Sequence, residues 1–123
     1  MRRQPFAATS FLDFGEDLTD TEFHVAGALT AILTGHAYLS SALMAKEKGP
    51  FPGYPENRYP MLRVIAKHME HVGRLSENSP KELLEAAKED WDLALRMGER
   101  YGFRNAQATV LAPTGTIGLL MDC

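Results

Sequence analysis

The stretch from 19 to 48 limits the fold more than any other part of the sequence. Drawn as a helix, it is apolar on more than one side, because large residues such as Phe23, Leu33 and Leu43 are interleaved with alanines and glycines. A helix that is small and apolar around most of its circumference must be covered by neighbours. With 123 residues there is room for one modest core, so the sequence also indicates further copies or the remainder of a larger protein as cover.

The two ends of this first helix carry recognisable signals. Thr19 is expected to cap the first turn, with Glu22 three residues later in the spacing of a capping box. Gly49 is expected to end the helix. Gly35, in the middle, costs roughly 1 kcal/mol relative to alanine, which is tolerable if it permits close packing or a bend.

Two further segments place apolar residues three and four positions apart, which predicts helices over about 57–72 and 80–101. Ser79 is expected to cap the later helix, with Pro80 at its first position and Gly102 as its stop. A short polar linker joins the two, as in a helical hairpin. Their apolar stripes are Met61, Leu62, Val64, Ile65, His68, Met69 and Val72, and then Leu83, Leu84, Ala87, Trp91, Ala94, Met97 and Tyr101.

The loop GPFPGYPENRYP, residues 49–60, holds four prolines and three aromatic residues. The prolines restrict its conformations, which indicates an ordered loop. Two interpretations remain open: Phe51 and Tyr54 anchor the loop on the protein, or the loop recognises a partner. Anchoring is the more frequent role of such aromatic residues.

The segment NAQATVLAPTGTIGLLMD, residues 105–122, predicts a strand, a turn and a helix. Its apolar, β-branched part predicts a short buried strand over about 107–112, and the Pro-Thr-Gly sequence from Pro113 breaks it. Thr116 is then expected to cap a fourth helix. Free N–H groups at a helix start bind anions, and Gly115 lets a phosphate approach the backbone. The turn has no lysine of the P-loop kind, so neutral donors would carry the recognition. The alternative is an ordinary strand-turn-helix connection in which Thr116 caps and nothing binds, since short Gly/Thr turns are common.

Composition and charge exclude several classes of function. The net charge of −3 gives no sign of the basic surface that binds nucleic acid. We also expect no apolar run long enough to cross a bilayer. We therefore expect a cytoplasmic protein. Cys123 is the single cysteine, so the chain contains neither an internal disulfide nor a dithiol redox pair.

The four histidines are expected to be structural or surface residues. His24 and His36 lie twelve positions apart, too far to chelate one ion from one helical face. His68 and His71 are three apart and could share a metal, but without a nearby cysteine or further group of carboxylates they make a weak site, since Glu70 is expected to point elsewhere on the helix. No metal site is predicted.

Two runs of sequence resemble the adenosylcobalamin-dependent, or class II, ribonucleotide reductases. One is RNAQATVLAPTGTIGLLMDC, from Arg104 to Cys123, and the other is AGALTAILTGHAYLSSALMAKEKGPFPGYPENRYPMLRVI, from Ala26 to Ile65. They occur in the family's order and at similar spacing, and together cover well over half of the chain.

The resemblance implies an α/β-barrel enzyme that uses adenosylcobalamin to make a thiyl radical, which abstracts hydrogen from the ribose of a ribonucleoside diphosphate or triphosphate. A cysteine pair then reduces the ribose, and a thioredoxin-like protein restores the pair. The site residues implied in this sequence hold the substrate phosphates: Pro113, Thr114, Gly115 and Thr116, with Ile117 donating its backbone N–H. Where some members carry a further hydroxyl, this chain has Gly118.

The family's reactive residues have no matching positions in this chain. The thiyl cysteine, the redox pair and the catalytic asparagine and glutamate are all missing, and Cys123 matches none of them. The isolated chain is therefore predicted to be inactive and not to bind adenosylcobalamin alone. We expect an unassigned lead-in over 1–18 and a mainly α segment of a larger α/β-barrel reductase over 19–123, continuing past Cys123.

A different class of function also fits the pattern. The two amphipathic helices and the apolar first helix would suit a non-enzymatic helical module that binds other proteins. Apolar helix faces left exposed could also support self-association.

Overall fold

The computed structural model describes residues 20–75, 77–111 and 115–121. Within them the chain forms four helices: α1 (Asp20–Lys48), α2 (Tyr54–Val72), α3 (Lys81–Tyr101) and α4 (Gly115–Leu120). The three long helices and the beginning of a fourth were predicted from the sequence and are confirmed. Thr19, the expected cap of α1, and the lead-in lie outside the described residues.

Trp91 on α3 is the side chain that ties the three long helices together. It is only 2% exposed, and its indole N–H donates to the carbonyl of Ala31 on α1 at 3.0 Å. Its ring stacks on the imidazole of His68 on α2, with centroids 5.1 Å apart. Both other long helices pack on α3, which is therefore the centre of the bundle. The buried core consists of Ala42, Tyr54, Ile65, Val72, Ala87, Trp91 and Phe103.

Gly35 lies where α1 passes closest to Trp91. A Cβ built on Gly35 would come within 2.9 Å of the indole ring, closer than carbon atoms approach without displacement. The mid-helix glycine therefore makes room for Trp91, which confirms that it permits close packing.

Only one side of α1 is covered by the described residues. Small residues, including Ala28 and Ala42 at 0% exposure, are buried, whereas Phe23 and Leu33 are more than half exposed. The predicted burial between neighbours is thus met on one side. Contrary to the expectation from the sequence, the 26 residues Phe23–Lys48 are long and apolar enough to cross a membrane by length and composition alone. α1 packs on α3 along one side, and 28% of this apolar window is buried.

The start of α2 lies three residues before the predicted one. Proline is tolerated in the first turn of a helix because its missing N–H would have no partner there, and Pro55 occupies such a position. The Tyr54 N–H bonds to the Phe51 carbonyl at 2.9 Å, which turns the loop into the helix. Pro60 lies inside α2. The prediction treated the prolines as loop residues and so placed the helix start too late.

The predicted cap of α3 is wrong, and its predicted stop is confirmed. Pro80 occupies the N-cap position and no side chain caps the helix. The hydroxyl of Ser79 instead donates to the carbonyl of His24 on α1 at 3.3 Å, which links the start of α3 to α1. Gly102 ends α3 with φ of 77°, a conformation that glycine adopts without a Cβ clash.

The predicted strand over 107–112 is not formed in its described part, residues 107–111, and position 112 lies outside the described residues. Val110 is 83% exposed and Leu111 57% exposed, so the predicted burial is also wrong. A strand requires a neighbouring strand to accept and donate its backbone hydrogen bonds. None of the described segments supplies that neighbour, so an apolar, β-branched sequence alone is not enough.

Candidate functional site

The candidate site lies at the end of a C-terminal arm, which we define as residues 104–121. The arm begins directly after Phe103, whose ring is completely buried among Tyr38 and Tyr54. A Cβ on Gly98 would come within 2.1 Å of the Phe103 ring, so only a glycine at that position lets the ring dock on α3. The starting point of the arm is therefore held by the core.

Ser41 of α1 is the first attachment of the arm. Its hydroxyl donates to Oδ1 of Asn105 at 3.0 Å and accepts the Asn105 backbone N–H at 2.9 Å. The Ser41 carbonyl also accepts the N–H of Arg104 at 3.1 Å. Ser41 is 1% exposed, so this cluster of hydrogen bonds lies at the edge of the core.

Thr34 of α1 is the second attachment, through a hydrogen bond of 3.0 Å between its hydroxyl and that of Thr109. Seven residues separate Thr34 from Ser41, about two helical turns or roughly 10 Å along α1. The arm covers this distance in the four residue steps from Asn105 to Thr109. Four steps of a helix would advance only about 6 Å. The arm is thus extended and runs back along α1 towards its N-terminus.

The predicted phosphate-binding residues are only partly described. Pro113 and Thr114 lie outside the described residues. Gly115 begins α4, so Thr116 and Ile117 lie in its first turn, and Thr116 is not the cap that the sequence indicated. The described part of the turn is open: Gly115 and Thr116 are exposed, and a Cβ added to Gly115 would meet nothing within 4 Å.

The prolines and aromatic residues of the 49–60 loop anchor it on the core. Phe51 packs edge-on against Tyr54, with centroids 5.6 Å apart, and the Phe51 N–H bonds to the Phe103 carbonyl at 2.9 Å. The Tyr54 hydroxyl donates to the Gly98 carbonyl at 3.1 Å. Burial raises the pKa of Tyr54 above its ordinary value of 10.0; the Arg58 charge lowers it in part, and Glu99 raises it further. The anchoring interpretation of this loop is confirmed.

The histidines serve structural contacts. The Nδ1 atom of His36 lies 3.2 Å from Oδ1 of Asp90 on α3, His71 bonds to the Lys67 carbonyl, and His68 stacks on Trp91. Among the residues that the structure describes, no three His, Cys, Asp or Glu side chains come together in a way that could hold a metal ion.

Sequence reasoning missed Ser41 and Thr34. Both look like ordinary small polar residues inside an apolar helix. One signal was present: their spacing of seven residues puts the two hydroxyls on the same face of α1. Their partners in the arm cannot be identified from the sequence, since they lie 64 and 75 positions away.

Comparison with known proteins finds similarity along nearly the whole chain. The family described as the ribonucleotide reductase barrel domain matches residues 11–123. A vitamin B12-dependent ribonucleotide reductase of Rhodopirellula baltica is 52% identical over 105 residues, which cover 85% of this chain and 10% of that protein. A protein of the same description from Agrobacterium fabrum is 48% identical over 115 residues, with 80% of this chain and 9% of the relative covered.

A more distant relative shows how far the similarity extends. The ribonucleoside-diphosphate reductase subunit alpha of Chlamydia pneumoniae is 28% identical over 86 residues, which cover 70% of this chain and 8% of that subunit. The chain spans about a tenth of the length of the curated relatives that it matches.

Proposed function

The chain belongs to the ribonucleotide reductase barrel-domain family, and we propose that it acts as part of a longer vitamin B12-dependent enzyme that converts ribonucleotides to deoxyribonucleotides. The observation that carries the proposal is the identity of 52% over 105 residues with a protein of that description. Sequence identity at this level over most of a chain accompanies a shared fold, and the function of the relative is extended to this chain as a proposal.

We further propose that residues 113–117 bind the phosphates of the substrate. Three features support this role: the resemblance of the PTGT sequence, the start of α4 at Gly115, and the exposure of Gly115 and Thr116. The first N–H groups of a helix have no partner within it, so they can donate to phosphate oxygens. The threonine hydroxyls would add donors beside them.

The recognition would be carried by neutral donors rather than by a cation. The turn contains no lysine or arginine, and α4 has only six residues, so the individual hydrogen bonds matter more than the field of a long helix. Hydrogen bonds to a charged acceptor are stronger than neutral ones, which makes a phosphate a better ligand for these groups than an uncharged molecule.

The radical chemistry is assigned to other parts of the enzyme. Cobalamin would supply the initiating radical, and Cys123 is the chain's one thiol. In this proposal the chain binds and orients substrate, while the reacting cysteines, the cofactor and the site reduced by a thioredoxin-like protein lie elsewhere in the same cytoplasmic enzyme.

Replacing the turn's hydroxyls in the complete enzyme tests the proposed phosphate site. Thr114→Val and Thr116→Val retain shape and remove the donors, so each is expected to weaken binding of CDP by about tenfold, as loss of a hydrogen bond to a charged group does. Binding of cytidine, which lacks phosphates, should change little in equilibrium dialysis. Equal losses for CDP and cytidine, or no loss for either, contradict the phosphate role.

The isolated chain provides a second test of this division of labour. Mixed with CDP, adenosylcobalamin and a dithiol, it is expected to form no deoxynucleotide above background, because the required thiols are missing. Measurable product would contradict the proposal.

A helical interaction module is the second candidate, and the exposed apolar side of α1 favours it. Leu29, Leu33 and Leu43 are each at least 37% exposed, and a row of this kind can pack against a second copy. Sedimentation equilibrium of the chain distinguishes the candidates: a dimer that Leu33→Glu dissociates supports self-association, and a monomer at all concentrations contradicts it.

A further inference from the structure

We propose that one end of the helix bundle is a docking surface for an acidic segment of a separate protein. The cations of this basic end are all exposed; they are Lys46, Lys48, Arg58, Arg100 and Arg104. The turn proposed to bind phosphate contributes no residue to this surface, so the two proposals stand or fall separately.

The basic end follows from the parallel course of α1 and α3. Ser79, just before α3, bonds to the carbonyl of His24 near the start of α1. Lys46, near the end of α1, lies over the ring of Tyr101 at the end of α3. The last carbonyls of both helices therefore lie at one end of the bundle, where their partial negative charge favours cations.

The ring of Tyr101 positions two of these cations. Lys46 Nζ and Arg100 Cζ lie 5.7 and 5.2 Å from its centroid. A cation over an aromatic ring is attracted to the ring electrons, but the contact leaves its charge uncompensated. Two positive charges are thus held at the same place, and an anion bound there would be attracted by both.

Arg58 and Arg104 are held by backbone carbonyls. Arg58 donates to the carbonyl of Glu99 at 3.0 Å, and Arg104 donates to those of Gly49 and Pro50 at 3.4 and 3.3 Å. These contacts use one nitrogen of each guanidinium, which has five N–H donors. Further donors are therefore left for a carboxylate.

The carboxylates of the described residues do not pair with the basic end. Glu47, Glu56 and Glu99 belong to this end of the bundle, and five cations against three carboxylates leave a local charge of +2, on a chain of net charge −3. A surface of this sign attracts a negatively charged partner. The ion pairs among the described residues involve His36 with Asp90, Arg74 with Glu70, Lys81 with Glu85, and Arg96 with Asp92.

The mixture of charges favours a protein partner over nucleic acid. The three carboxylates would repel the continuous row of phosphates in a nucleic acid, whereas an acidic protein segment can place single carboxylates beside single cations. Arginine and tyrosine are enriched at the energetically important positions of protein interfaces. Tyr59, next to Arg58, is 74% exposed.

A charged surface of this kind suits a separate protein better than more of the same chain. Permanent interfaces are largely apolar, and the arm supplies residues of that kind, with Val110 and Leu120 more than 80% exposed. Charged surfaces guide transient partners together and speed their association.

Binding of an acidic peptide to the 123-residue chain tests the docking surface. The probe is a fluorescein-labelled Glu-Gly repeat peptide, followed by fluorescence anisotropy at low ionic strength. Because the chain is negative overall, binding of this probe requires a local cluster of positive charge. Lys46→Gln and Arg100→Gln each remove one charge, and Lys88→Gln and Arg63→Gln are the matched controls, since both residues are exposed on α3 and α2 away from the helix ends.

The two variants at the basic end should each weaken the peptide about two- to fivefold, as loss of one exposed charge pair does, and the two controls should change its affinity little. Tyr101→Phe keeps the ring and should bind like the wild type. Tyr101→Leu keeps every charge but loses the contact that positions two of them, so it should bind more weakly. A role limited to the helix ends would lower the free energy of unfolding and leave the peptide affinity of the folded chain unchanged.

Lysine acetylation shows whether a separate protein can reach this end in the complete enzyme. Lys46 and Lys48 should react with sulfo-NHS acetate as fast in the complete enzyme as in the 123-residue chain, with each site followed by mass spectrometry. The Glu-Gly peptide should slow acetylation of these two lysines and leave that of Lys88 unchanged.

Four results overturn the proposal. They are no binding of the peptide, equal losses of affinity in the basic-end and control variants, tighter binding of an oligothymidylate of equal charge, and protection of Lys46 and Lys48 in the complete enzyme. The third result would indicate nucleic acid as the partner, and the fourth would indicate that the rest of the enzyme covers this end.

Discussion

The three-helix core and the C-terminal arm both contain large apolar residues, yet they bury them to very different extents. In the core, Trp91, Phe103 and Ile65 are at most 2% exposed, whereas Val110, Leu119 and Leu120 of the arm are more than 80% exposed. The core residues find cover within the described chain, and the arm residues do not. Burial therefore depends on which neighbours are present, in addition to the apolar pattern.

The difference also separates the two roles that we assign. A rigid core can hold an extended segment at fixed points, and the arm carries the exposed groups that meet a ligand. The hydrogen bonds of Ser41 and Thr34 join the two regions. The following experiments test whether the core and the arm differ in stability as their burial suggests.

Removing the central indole should have the largest effect. Trp91→Ala deletes the side chain that contacts α1 and α2, so we expect the free energy of unfolding to fall by about 3–5 kcal/mol. Urea unfolding of the 123-residue chain, followed by circular dichroism, measures it. Trp91→Phe keeps much of the volume and should cost clearly less. Equal, small losses for both variants would mean that Trp91 is not the centre of the core.

Adding one methyl group to a glycine compares the two regions directly. Gly98→Ala places a Cβ 2.1 Å from the Phe103 ring, and such overpacking should cost about 1–3 kcal/mol in urea unfolding. Gly118→Ala is the matched change in the arm, where a Cβ meets nothing within 4 Å. It should leave the stability unchanged or raise it slightly, since alanine favours a helix. Similar losses of stability at both positions would contradict the difference in packing between the core and the arm.

Removing the buried phenol should change stability moderately and in a pH-dependent way. Tyr54→Phe loses the bond to the Gly98 carbonyl, at about 0.5–1.5 kcal/mol, although that carbonyl still accepts the Gly102 N–H. Because burial raises the pKa of Tyr54 above 10.0, the folded state keeps the phenol proton while the unfolded state loses it. The contribution of Tyr54 to the free energy of unfolding of the wild type should therefore be constant below pH 10. It should fall as the pH rises above 10.

Urea unfolding at several values of pH between neutral and alkaline checks this coupling. The phenylalanine variant should lose less stability than the wild type over the alkaline range, because it has no proton to release at that position. Parallel losses in the two proteins would show that burial of Tyr54 does not set the alkaline limit.

Substitution of an exposed leucine in the arm should have the smallest effect on the chain. Leu119 is 82% exposed, so Leu119→Ser should change the free energy of unfolding of the 123-residue chain by no more than about 0.5 kcal/mol. If the rest of the enzyme covers the arm, the same change should lower the melting temperature of the complete protein. A loss above about 1 kcal/mol in the chain alone would place Leu119 in a core of its own.

Much of the helical architecture was predictable. The capping signals and apolar character predicted a helix at 19–48, and the spacing of apolar residues predicted one at 80–101; the structure has Asp20–Lys48 and Lys81–Tyr101. Boundaries that depend on local chemistry were less secure: α2 starts at Tyr54 rather than near 57, because proline is compatible with a first turn. Ser79 looked like a cap and instead bonds to the carbonyl of His24, a partner 55 positions away.

The sequence motif of the candidate site was predictable, but the path of the chain that leads to it was not. The PTGT sequence at 113–116 predicted a phosphate-binding turn, and that function stays a prediction. The two attachments that set the path of the arm could not be predicted, since each joins residues more than sixty positions apart. The predicted strand failed for a related reason: its apolar pattern is local, whereas strand pairing requires a neighbour.

The sequence by itself determined the periodic features: which segments are helical, which side of α2 and α3 is apolar, and where Gly102 ends α3. These features follow from interactions between residues a few positions apart, which the local sequence specifies directly. The tertiary structure alone decided that Gly35 and Gly98 make room for aromatic rings and that α1 holds the arm through two hydroxyls. Those contacts join distant parts of the chain, and they exist only once the helices have packed.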